Sequence, residues 1–100
     1  MHRADYFYTK KSYDSWVYIL EREDGYRSVH YTFDLVRVVS FLPLNLRLLF
    51  YRGFFDPMDS IAYKVFIENL SPQSIDRIVR MKNPELRNLC EDFQSTEENK

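Results

Sequence analysis

A small set of residues has both the type and the setting for chemistry. Tyr18 sits inside the apolar-aromatic run Trp16-Val17-Tyr18-Ile19-Leu20, where a phenol can share a proton or steady a developing charge. His30 carries an imidazole that titrates near neutral pH and can serve as a base; the same position equally suits a half-buried, hydrogen-bonded strand histidine. Arg77, Arg80, Lys82 and Arg87 gather in one stretch and read as candidate nucleic-acid contacts. Asp76 and Glu85 alternate with them, so a solvated helix face explains the stretch as well. Cys90 is the only cysteine, which excludes an internal disulfide and a cysteine-built zinc site and suits a reducing compartment; its apolar neighbours favour packing over reactivity. Gly25 and Gly53 are the only glycines, and neither belongs to a phosphate-cradling glycine motif.

These residues need a scaffold, and the chain affords one domain. It has 100 residues and a mass of 12.2 kDa, enough for a single core. Hydrophobic residues make up 45% and charged residues 29%, ordinary values for a globular chain. Aromatic residues reach 17%, which favours a sheet-containing core over a plain helix bundle. A net charge of −1 argues against a dedicated high-affinity nucleic-acid binder. No apolar run is long enough to span a membrane, and the first residues lack the apolar region of a signal peptide, so the expected location is cytoplasmic.

The punctuation of the sequence predicts the order β-β-α-β-α-α-α. Trp16 to Leu20 reads as a buried strand, Asp24-Gly25 as a hairpin turn, and Tyr26 to Thr32 as the return strand. Asp34 caps a short helix over Leu35 to Leu42, and Leu46 to Phe55 makes a third strand, with Gly53 marking a bend or bulge. Asp56-Pro57, Ser71-Pro72 and Asn83-Pro84 each place a capping side chain before a proline and so predict three helix starts. Spacings of three and four assign the buried faces: Met58, Ile61, Ala62, Val65 and Phe66 in the first; Ile75, Ile78 and Val79 in the second; Leu86, Leu89, Cys90 and Phe93 in the third. Trp16, Tyr26, Tyr31, Phe41, Phe54 and Phe55 exceed what so small a core absorbs with ease, which points to a protein partner or a homodimer, or to aromatics filling a shortened loop. Residues 1–14 read as an N-terminal arm, 15–93 as the domain, and 94–100 as a disordered tail.

Four segments carry a resemblance. Trp16-Val17-Tyr18-Ile19-Leu20, the turn Asp24-Gly25, Thr32-Phe33-Asp34-Leu35 and Lys82-Asn83-Pro84-Glu85-Leu86-Arg87-Asn88-Leu89 follow one another as in the GIY-YIG nuclease superfamily, with Leu48-Leu49-Phe50-Tyr51 between them. The chain resembles that superfamily's small single-domain bacterial proteins. The resemblance implies an α+β fold, a small three-stranded antiparallel sheet flanked by helices. It also implies a phosphodiester-cutting site of two tyrosines, an arginine and a metal-holding glutamate. Tyr18 matches the first tyrosine. The second tyrosine's segment falls on Ser28-Val29-His30, the arginine position on Val38 beside Arg37, and the glutamate position on Lys64, one turn before Glu68. An ammonium in place of that carboxylate repels a divalent cation. The segment Gly25-Tyr26-Arg27-Ser28-Val29-His30 is also similar to one in the stringent-response nucleotide synthetases, but their acidic metal-binding strand has no counterpart here.

Three functional expectations follow. The first is a degenerate, catalytically impaired GIY-YIG-like domain that binds DNA or a protein and needs no cofactor. The second is an active, atypical endonuclease using Mg²⁺ or Mn²⁺, with Tyr18, His30 and Arg37 catalytic and Glu68 on the metal. The third is a protein-binding or homodimerising module. None of them involves a membrane.

Overall fold

Asp24-Gly25 sets the first pairing. Gly25 adopts φ +89, a left-handed conformation that side chains resist, and its N–H donates to the Arg22 carbonyl. The Asp24 carboxylate accepts from the Tyr26 N–H and the Arg22 guanidinium, and these bonds hold its pKa down at about 2. The turn therefore closes a hairpin between β1 (Ser15–Glu21) and β2 (Arg27–Thr32) in which Tyr18 pairs with His30 and Leu20 with Ser28. This computed structural model describes residues 13–93. The expected tail at 94–100 and most of the expected arm lie outside the described residues.

The rest of the chain wraps β1. After α1 (Leu35–Ser40), capped by Asp34 accepting from the Arg37 N–H, β3 (Arg47–Phe54) pairs antiparallel with β1 on its free side. The result is a three-stranded antiparallel sheet in the order β2-β1-β3, flanked by helices in an α+β arrangement. Then follow α2 (Pro57–Glu68) and α3 (Pro72–Lys82), capped by Asp56 and Ser71, each with proline in its first turn.

Alternation along β1 divides the core in two. Trp16, Tyr18 and Leu20 face α1 and the C-terminal segment, packing with Leu35, Leu48, Leu89 and Phe93. Ile19 faces the other way, packing with Phe50, Ile67 and Val79 beneath α2 and α3. A buried hydroxyl relay fixes α2 on that second face: Ser15 Oγ donates to Ser60 Oγ at 2.7 Å, and Ser60 Oγ donates to the Pro57 carbonyl at 2.7 Å.

Several expectations need correction. Asn83-Pro84 starts no helix. Asn83 ends α3, and its buried amide donates to the Leu49 and Arg87 carbonyls while its oxygen accepts from the Arg87 N–H. Leu86 then takes φ 54, and the segment runs beside β3, with the Leu89 N–H donating to the Leu48 carbonyl; only residues 91–93 form a helical turn. The apolar stripe assigned to the core side of α2 is the exposed side, since Ser60 and Ile67 are its buried residues. Helix α1 stops at Ser40, short of Leu42. Gly53 marks no bulge; the irregular register lies at Ile19/Leu20. Gly53 is required for space, because a Cβ there would lie 2.5 Å from the Tyr13 ring. Among the surplus aromatics, Trp16 is buried and Tyr31 and Phe54 half-buried, whereas Tyr26, Phe41 and Phe55 are exposed. Phe33 is also exposed, which the sequence reading missed.

Candidate functional site

The hairpin register brings Tyr18 and His30 side by side. Their rings stack with centroids 5.2 Å apart and planes 23° from parallel. Ser28 and His30, two apart on one strand, point to the same face, and Ser28 Oγ shares a hydrogen bond of 2.7 Å with His30 Nε2. The sequence reading passed over the Ser28 hydroxyl; its signal was the two-residue spacing within a strand. Burial, followed by the nearby Lys64 ammonium, holds the His30 pKa below 6.5, with Glu68 acting the other way. His30 is therefore neutral at pH 7, with one ring nitrogen free to accept a proton. Burial also raises the Tyr18 pKa, so this phenol stays protonated and is a donor, not a base.

Lys64 and Glu68 reach this group by charge. Both belong to α2, whose Ile67 packs on the sheet face opposite Tyr18. They join each other in an ion pair of 2.6 Å. The Glu68 carboxylate accepts from the Lys64 ammonium, and among the described residues no three His, Cys, Asp or Glu side chains gather to hold a metal. Arg37 is not brought to the site. It lies on the exposed side of α1, with its guanidinium 5.6 Å from the centre of the Phe41 ring.

This arrangement of strands and helices has a known counterpart. A solution NMR structure of a UPF0213 protein from Bacillus halodurans matches it with a TM-score of 0.58, over 74% of this chain and 90% of that one, at 22% identity. The two chains share a fold. The match supports the α+β arrangement, a three-stranded antiparallel sheet with helices, that the sequence resemblance implied. No sequence-family profile matches the chain, and no curated protein matches it.

The basic candidates are mostly engaged within the molecule. Arg80 pairs with Asp76 at 2.7 Å, and Arg87 with Glu91 at 3.0 Å and Asp92 at 3.6 Å. Lys82 lies over the Phe50 ring, 5.8 Å from its centre. Arg77 is exposed and makes no ion pair among the described residues. Lys82 and Arg87 line an open cavity of about 270 Å³ with Tyr51 and Asp92. There Tyr51 donates to Asp92 at 3.0 Å, and burial, then the Asp92 charge, drives the Tyr51 pKa upward. Cys90 packs half-buried against the core, and that burial raises its thiol pKa, which opposes reactivity.

Proposed function

We propose that this protein is a catalytically impaired GIY-YIG-like domain that acts by binding DNA or a protein. The observation that carries the reading is the 2.6 Å Lys64–Glu68 ion pair. Where the resemblance expects a carboxylate on a cation, the chain has a cation, and it occupies the nearest carboxylate. Arg37 stacks on Phe41, away from Tyr18 and His30, which removes the phosphate-steadying cation from the same place.

The test is a paired cleavage and binding assay. Nicked, flapped and branched DNA would be incubated with the protein and Mg²⁺ or Mn²⁺, beside a Tyr18→Phe plus Glu68→Gln variant. The expected result is no cutting above the variant's background. Metal-dependent cutting that the double variant loses would overturn the reading and establish the atypical endonuclease. Retention of labelled DNA without cutting would identify DNA as the partner; no retention at low salt would leave a protein partner.

A further inference from the structure

Helix α2 turns its apolar residues outward. Met58, Ile61, Ala62, Val65 and Phe66 recur at spacings of three and four, the pattern of a stripe that packs against something. Met58 is 69% exposed, Phe66 56%, Val65 48% and Ile61 37%; Phe55, just before the helix and packed on the Tyr13 ring, is 66% exposed. The helix cannot roll to bury them. Its inward side is fixed by Ile67 in the core and by the Ser15–Ser60 hydrogen bond.

Charge and size narrow what covers the stripe. Only Asp56, Asp59 and Lys64 carry charge between Phe55 and Phe66, and Lys64 is closed on Glu68. Such a face repels phosphate, so nucleic acid is a poor occupant. Taking roughly 200 Å² for each large side chain, these exposed parts amount to roughly 550 Å². Doubled across two copies, that is about 1,100 Å², just above the roughly 1,000 Å² that a specific interface has to clear. A two-fold contact also requires a self-complementary face. With the axis at Ala62, the small residue lets antiparallel helices approach, and Met58 meets the partner's Phe66 at each end.

We propose that the outward stripe of α2 pairs two copies of this chain, helix against helix and antiparallel about Ala62. The proposal stands apart from whether the chain cuts DNA. An interface at the lower size bound gives a weak, concentration-dependent dimer.

Sedimentation velocity of the full chain, from low to several hundred micromolar, tests it. The expected result is a shift from monomer to dimer that Val65→Glu abolishes without changing the circular dichroism spectrum. Ile61→Lys should do the same, which guards against one variant misfolding. In a Cys90→Ala background, Ala62→Cys should form a disulfide-linked dimer about tenfold faster than Gln73→Cys on the exposed side of α3, because the axis holds the two thiols together. A monomer at every concentration would overturn the proposal and leave the stripe to another protein. Dimers that survive both charge variants, or equal cross-linking at residues 62 and 73, would overturn it by placing the contact elsewhere.

Discussion

A histidine stacked on a tyrosine and bonded to a serine hydroxyl reports its surroundings through its own titration. Burial is the main cause of the lowered His30 pKa and Lys64 the second, while Glu68 opposes them. Lys64→Ala should therefore raise the His30 pKa and Glu68→Gln should lower it further, read from the imidazole proton shifts in an NMR titration. Shifts of the same sign in both variants would show that the two charges do not reach the ring. The stability consequence has a definite direction. The unfolded chain takes up the proton near 6.5 and the folded chain only at lower pH, so the unfolded state binds more protons in between. Stability contributed by His30 is complete above that window and falls as pH drops through it. Urea midpoints should decline through that window in the wild type and less in His30→Gln. A residue of a different kind is Gly53. Gly53→Ala would push a methyl into the Tyr13 ring at 2.5 Å and should cost about 1–3 kcal/mol in urea unfolding.

Helix starts and ends depend on which partner a capping side chain finds. Asp56 and Ser71 each accept from an N–H of the helix that follows, so their cap-proline pairs were legible in the sequence. Asn83-Pro84 has the same spelling. Its amide is instead spent on Leu49, 34 positions away in sequence, a contact no local pattern displays. The two kinds of cap should differ in cost. Asp56→Ala should lose about 1 kcal/mol. Asn83→Ala removes three hydrogen bonds at a site 3% exposed and should lose about 2–4 kcal/mol in the same urea series. Equal losses would mean that Asn83 is a cap and nothing more. The misplaced face of α2 has a related cause. This helix is apolar on nearly every side, so spacing alone could not choose which stripe is buried. The choice is made by Ser60 and its distant partner Ser15. The site was legible where it depended on the hairpin, because Asp24-Gly25 fixes the pairing of Tyr18 with His30. It was not legible for Lys64 and Glu68, whose effect on His30 depends on how α2 packs.

At the level of the whole molecule, the balance of charge sets how nucleic acid would be held. The net charge is −1, and the basic stretch at Arg77 to Arg87 is largely neutralised by its own carboxylates. Each phosphate contact releases counterions, giving a slope of about −0.9 per contact in log affinity against log salt. If DNA is held by this basic stretch, Arg77 and Lys82 are its two cations without an ion pair among the described residues, so the slope should be about −2; four contacts would give about −4. Anisotropy titrations of labelled duplex at several salt concentrations measure it. Arg77→Ala should make the slope shallower by about 1, and Arg80→Ala should leave it unchanged, since Arg80 already answers Asp76. A slope near −4 would mean that Arg80 and Arg87 give up Asp76, Glu91 and Asp92 for phosphate. In that case Asp76→Asn should strengthen DNA binding by freeing Arg80, a response that a solvated, self-paired helix face would not give.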